Sequence, residues 1–387
     1  MRWLQDGEHR SRTFSDYTEA RKFNLKMQSL KLEGRLRSAP RITLDEFAER
    51  KWFPEYVSRL ATATRINYGR AWYRHVAPRV GISAVELMDA ERWEDDQKPS
   101  SLPDSLGARR LRDLSNAVVR EFATELEKKT GPWMARTTLM VLSSCLTHAV
   151  EVDYLDANPV RAIKKTRQSR LGKAVRPLPP SEVEKLHAAL LVVGARGRRD
   201  AAFVSLLSYC GLRPGEALAL RWGDVREKTI HVHQSISYGT AKEPKNRKAR
   251  SALLLPVLRE ELAELRSAVS GRDDDLLFGR GDGEPLLDTD YRNWRRRVFL
   301  PAVERSGIRL THPYALRHSW ASLLLRSEDY GSNPARIAET MGHSVGTFFR
   351  VYAHEIEELR DAPRISPEAE IRDARAAASG QLRLLAH

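Results

Sequence analysis

The stretch Thr311–His354, THPYALRHSWASLLLRSEDYGSNPARIAETMGHSVGTFFRVYAH, predicts three short helices in a row, each with its own punctuation. Pro313 suits a first helical position, so Thr311 or His312 caps a helix running through Leu325. Asn333-Pro334 opens a second helix, and Gly342 closes it as a left-handed cap residue. Ser344 then caps a third, which carries Phe348, Phe349, Tyr352, Ile356 and Leu359. Arg317, His343 and Tyr352 fall at the seams, beside apolar stripes such as Leu316, Trp320, Leu323 and Leu324. Singly, each reads as an ordinary residue: a snorkelling arginine, a surface histidine, a core tyrosine. Together, an arginine, a turn histidine and a helical tyrosine can bind a phosphate and attack it.

Working outward, a chain of 387 residues exceeds one ordinary core, so two or three domains are expected. A net charge of +14 points to a polyanionic partner, nucleic acid before an anionic membrane surface. Cys145 and Cys210 sit in apolar helical patterns and read as buried thiols of a reducing compartment. No run approaches transmembrane length, and charges begin at Arg2, where an apolar leader would lie. The expected location is cytoplasmic. Metal-ligand spacings, phosphate-cradling glycine loops and internal repeats are all missing from the sequence, so neither metal nor cofactor is expected.

Residues 1–40 read as a small basic module: a hairpin about Asp6-Gly7, then a helix from about Asp16, with Glu19 completing a capping box, to Gly34. Thr43 and Glu46 form a capping box that opens a helical domain over 41–162. Within it TRINYGRAWYRH (64–75) interleaves Arg65, Arg70 and Arg74 with Tyr68, Trp72 and Tyr73, either as a DNA-facing helix or as an amphipathic helix with a solvated basic face. Residues 86–105 read as an insertion loop, and 163–180 as a basic, proline-ended linker. A third domain spans 181–362, with a capping box at Ser181 and Glu184. Arg213 precedes Pro214 at a helix start, a favourable place for a phosphate. Thr229–Tyr238 alternates as one strand, Arg250–Leu255 as its partner, with the basic loop AKEPKNRKAR between them. The segment 363–387 reads as a charged tail whose helix would dock on a neighbour.

GLRPGE (211–216), ALRHSW (315–320) and MGHS through RVY (341–352), in that order and with nine residues from His343 to Tyr352, resemble the tyrosine recombinases of the phage integrase family. The helical domain resembles the family's core-binding domain, and residues 1–40 a shortened arm-site-binding module. The implied fold is mainly α with small β elements: a helical core-binding domain plus a mixed α+β catalytic domain. On this resemblance Arg213 and Arg317 clamp the scissile phosphate, His343 is the second catalytic histidine and Tyr352 the nucleophile. Lys245 fits the hairpin lysine that acts as general acid, with Lys242 and Lys248 close enough to compete, and Glu216 supports the first arginine's helix. One position departs from the pattern: Tyr314 stands where the family usually has histidine, three residues before Arg317. An unperturbed phenol, with a pKa of about 10, accepts a proton less readily than imidazole.

The implied activity is site-specific DNA recombination through a 3′-phosphotyrosyl link, on paired duplex attachment sites, by four protomers. Accessory DNA-bending or directionality proteins are possible partners, and the arm-like module favours integration of a mobile element. The chemistry asks for these residue types. Charge gathering on nonbridging oxygens needs fixed bidentate cations, and a tyrosyl ester stores the bond for a second transfer. Two other readings share the sequence: a non-catalytic helix-turn-helix regulator over 333–352, and a topoisomerase that relaxes DNA without exchanging partners.

Overall fold

The computed structural model describes residues 2–5, 8–32, 42–79, 101–163, 176–193, 196–243, 249–310, 312–359 and 361–385. They divide into two compact units, Met1–Arg170 and Leu171–His387. Both are mainly helical, and the strands are short, as the sequence predicts.

The first unit opens with antiparallel strands β1 (Arg2–Gln5) and β2 (Glu8–Ser11), then helix α1 (Tyr17–Leu32). At the start of α1 the Asp16 carboxylate accepts from the Thr18 N–H at 3.1 Å. The predicted turn at Asp6-Gly7 and the stop at Gly34 lie outside the described residues. Helix α2 (Leu44–Phe47) begins at the predicted capping box: Glu46 N–H donates to Thr43 Oγ1 at 3.1 Å, and Thr43 N–H to Glu46 Oε2 at 2.7 Å. The chain runs on through α3 (Phe53–Glu55) to α4 (Thr62–Ala71). Ser115 caps α5 (Asn116–Thr130), and Pro132 opens α6 (Pro132–Glu151).

Aromatic rings hold this unit together. Trp52 and Trp72 are fully buried with ring centroids 5.0 Å apart, and Phe53 stacks on Tyr73 at 5.5 Å. The aromatics of the 64–75 segment thus pack inward, while Arg74 stays exposed. Rings of this size bury enough apolar surface to fix a small helical core.

The second unit contains helices α7 (Pro180–Leu191), α8 (Gly197–Tyr209) and α9 (Pro214–Leu218). The predicted box at Ser181 is not formed. Pro179 precedes the first turn, and Glu184 is buried against Arg375, Oε2 to Nε 2.9 Å, so its carboxylate is taken by a distant cation. The single strand expected over 229–238 is two: β3 (Thr229–Val232) and β4 (Ser235–Ser237). β4 turns back on β5 (Thr240–Lys242), through Tyr238 at φ 55° and Gly239 at φ 74°, the pair of positive φ values that a tight hairpin needs. β6 (Arg250–Leu253) pairs with β3, Val232 opposite Arg250.

Helices α10 (Pro256–Val269), α11 (Asp288–Trp294) and α12 (Leu300–Arg305) follow, then the three organising helices. They are α13 (Leu316–Leu325), α14 (Pro334–Met341) and α15 (Val345–Glu358), with caps close to prediction. Asn333 Oδ1 accepts from Arg336 N–H at 3.0 Å, Gly342 adopts φ 65°, and Ser344 Oγ accepts from Thr347 N–H at 3.2 Å. The tail helix α16 (Pro367–Leu385) packs on α7 of its own unit, where Arg375 meets Glu184 and Glu261. No described helix is long and apolar enough to cross a membrane.

Candidate active site

The start of α13 is set by His312, whose Nδ1 accepts from Ala315 N–H at 3.2 Å and caps a short 3-10 turn, Pro313–Ala315. Its apolar stripe is buried, with Leu316 and Trp320 fully so, and this drives Arg317 into the interior at 1% exposure. No carboxylate bonds Arg317 directly. Nη1 donates to Gly211 O and Nη2 to Met341 O, while Nε is buried without a protein partner. Gly211 is needed there on two counts: its φ is +60°, and a Cβ would stand 2.5 Å from Trp320 Cδ1.

Arg213 precedes α9 and approaches the same place from the other side. Its Nη2 donates to Gly342 O at 2.9 Å, so the two arginines are held by consecutive carbonyls of the turn that presents His343. Glu216 braces Arg213, accepting from Nη1 at 2.7 Å and from the backbone N–H at 2.8 Å. It also takes a bidentate pair from Arg250, at 2.9 and 2.7 Å, and Arg250 Nε donates to Thr340 O at 3.1 Å. Burial alone would favour the acid form of Glu216. The bonds and charge of Arg250, with the charge of Arg213, instead bring its pKa down to about 2. Three guanidinium groups and one carboxylate leave this cluster two positive charges in excess.

Tyr352 is 1% exposed and its hydroxyl has no protein partner. Its ring lies 4.6 Å from that of Phe348, 5.5 Å from His318 and 6.2 Å from His343. Burial raises the phenol's pKa well above its ordinary value, and Arg317 pulls against that shift. Both histidines are held neutral, His318 down to about 4 and His343 to about 3, first by burial and then by the arginines. His343 Nδ1 is also buried without a partner. In folded proteins such orphans are few, and three of them belong to neighbouring groups here: Arg317 Nε, His343 Nδ1 and the Tyr352 hydroxyl, with Arg317 acting electrostatically on both of the others.

The other expected residues fare differently. Tyr314 lies at the rim, 40% exposed, with its ring 6.1 Å from that of His318. Lys245 and Lys248 lie outside the described residues, and Lys242 ends β5 in an exposed position. Sequence reasoning missed Arg250 and His318. His318 had a local signal, since it stands one turn after Tyr314 on the same helical face. Arg250 had none, because its role depends on the β3–β6 pairing. Among the described residues no group of His, Cys, Asp and Glu could hold a metal ion.

The chain is similar to several known proteins. Residues 176–358 match the phage integrase family. The chain is 27% identical over 251 residues to a tyrosine recombinase of Pseudothermotoga lettingae, covering 64% of this chain and 80% of that one. It is 30% identical over 260 residues to tyrosine recombinase XerC of Chromohalobacter salexigens, covering 64% and 79%. In fold it matches the Tn1549 transposon integrase in complex with a circular intermediate DNA (TM-score 0.59, 17% identity, 81% and 96% covered). It also matches a lambda integrase tetramer bound to a Holliday junction (TM-score 0.57, 16% identity, 89% and 92% covered). With sequence likeness reaching across most of a bacterial recombinase, and the matched segment enclosing every group of the cluster, the chain belongs to the phage integrase family of tyrosine recombinases.

Proposed function

We propose that this chain is a site-specific recombinase that cuts and rejoins duplex DNA through a 3′-phosphotyrosyl bond to Tyr352. Arg213 and Arg317 bind the nonbridging oxygens of the scissile phosphate, His343 donates to the same phosphate, and Tyr314 lies at its edge. Lys245 supplies the proton to the departing 5′ oxygen. The observation that carries this reading is the cluster of unpartnered donors, Arg317 Nε, His343 Nδ1 and the Tyr352 hydroxyl, under an excess of positive charge. A phosphodiester satisfies all three and neutralises part of that charge, which is how preorganised donors lower a phosphoryl-transfer barrier. No step needs a metal or nucleotide.

We further assign residues 41–162 to DNA binding, with the basic side chains of 64–75 meeting phosphates, residues 1–40 to a second DNA contact, and 163–180 to a linker along the backbone. The catalytic domain is 181–362, with 363–387 its docked tail. Four protomers would act on paired sites through a Holliday junction, as the lambda integrase complex suggests. Integration or excision of a mobile element is the favoured role, with DNA-bending proteins as possible partners. Footprinting on candidate attachment sites comes first, then a nicked suicide duplex carrying the protected site. The parent chain should form a covalent protein–DNA adduct and Tyr352→Phe none. An adduct persisting in that variant would falsify the assignment.

A further inference from the structure

The nucleophile must lose a proton, and Tyr314 occupies the position where the expected imidazole would sit. One turn beyond Tyr352, on the same face of α15, stands Glu355. α13 meets this face with two residues one turn apart. His318 packs its ring on Tyr352 at 5.5 Å, and Ser322 draws the pKa of the Glu355 carboxyl down. Glu355 Oε2 is buried with no protein partner, as is the Tyr352 hydroxyl, whose pKa Glu355 in turn raises.

We propose that Glu355 is the proton acceptor for the Tyr352 nucleophile, an inference that rests on the recombinase reading above. As the phenol oxygen bonds to phosphorus, its O–H bond breaks and the proton passes to the Glu355 carboxylate. The P–O5′ bond breaks in the same step, and the 5′ oxygen takes its proton from Lys245. Rejoining runs the transfers backwards, so no proton is lost overall. Once protonated, the carboxyl carries no charge against the anionic phosphotyrosine, so the intermediate is not repelled.

The surroundings favour this group over its neighbours. Arg317 and Arg213 discourage a positive charge on His343, and Arg317 with His312 does the same for His318. Glu355 is raised to about 7, by burial first and by Glu358 further along the helix, against the effect of Ser322. An acceptor poised near the working pH is the efficient one. Arg317 lowers and Tyr314 raises the pKa of Tyr352, and Glu358 is itself paired with the exposed His354 at 3.3 Å.

The test is single-turnover adduct formation by the full chain on the footprinted suicide duplex, across pH. The parent rate should rise with a midpoint near 7, the value of Glu355. Glu355→Gln, which keeps shape and the Ser322 contact, should lower the plateau rate by about 10²–10³-fold and flatten that rise. The defect should persist on a duplex with a 5′-bridging phosphorothiolate, whose leaving sulfur needs no proton. Ser322→Ala keeps the carboxyl but removes a hydroxyl that holds its pKa down, so the midpoint should move upward. A Glu355→Gln enzyme with the parent's rate and profile overturns the inference, as does rescue by the phosphorothiolate. A stationary midpoint in Ser322→Ala overturns it even if Glu355→Gln fails to fold. An inert Tyr352→Phe beside a fully active Glu355→Gln sinks the inference alone, whereas an active Tyr352→Phe sinks the underlying reading.

Discussion

Both units take an arginine side chain out of solvent, and they treat its charge in opposite ways. Arg79, 3% exposed, donates to Asp45 at 2.8 Å and Glu49 at 3.1 Å, and the Trp72 and Tyr73 side chains bond the same carboxylates. One cation faces two anions. Arg317, 1% exposed, rests on backbone carbonyls with Arg213 and Arg250 for neighbours, and the one carboxylate, Glu216, is already shared between those two. A buried charge costs several kcal/mol unless it is paired, and proteins normally avoid leaving one short of counter-charge. The first arrangement holds a core together. The second leaves attraction unused, which is useful only if an anion arrives.

Methionine separates the two arginines most visibly. Arg317→Met should lower adduct formation by about 10²–10³-fold or more, because bidentate binding to the developing charge is lost. Its stability should fall less than that of Arg79→Met. The latter strands the buried Asp45 and the half-buried Glu49 and should cost about 3 kcal/mol by denaturant unfolding. Equal losses of stability in the two variants would erase the distinction.

Glu216 carries the counter-charge of the second arrangement. Glu216→Gln should leave three guanidinium groups without a carboxylate, costing about 3 kcal/mol of stability and displacing Arg213 from the site. Its folded pKa of about 2 lies below the ordinary 4.5, so its contribution is full above 4.5 and is lost as pH falls through about 2. The histidines act earlier. His343 and His318, at about 3 and 4, lie below the ordinary 6.5, so the unfolded chain takes up protons first as pH drops. Stability should therefore decline from pH 6.5 downward. His318→Gln should flatten that decline in thermal melts between pH 7.5 and 5.

What could be read from the sequence was what depends on nearby residues. The caps at Thr43, Asn333, Gly342 and Ser344 formed as expected because their hydrogen bonds close within a few positions. Arg213 and Glu216, three apart, were legible for the same reason. Ser181 and Glu184 show the same rule failing. The spacing is right, but Arg375, 191 positions from Glu184, claims the carboxylate. Likewise the strand over 229–238 divides because Tyr238 and Gly239 fold β4 back onto β5 before β6 can pair along its whole length. Arg250 and Glu355 acquire meaning only when β6 meets α9 and α14, and α13 meets α15. No periodicity encodes such meetings.

The smallest expected effect tests whether the turn between α14 and α15 positions the arginines as well as the histidine. Gly342 is at φ +65°, and an added Cβ would stand 3.0 Å from Arg250 Cδ, so that side chain must shift by a few tenths of an ångström. Left-handed backbone in a residue with a side chain costs about 1 kcal/mol, so Gly342→Ala should lower stability only slightly. Catalysis should suffer more than that strain implies. The Gly342 carbonyl holds Arg213, the preceding carbonyl holds Arg317, and the displaced Arg250 shares Glu216 with Arg213. A misplacement near 1 Å at such a site can cost about 10²-fold in rate. Gly342→Ala with a normal melt but slowed adduct formation would mark the turn as the part that sets both guanidinium groups. A rate loss no larger than its stability loss would make it an ordinary helix end.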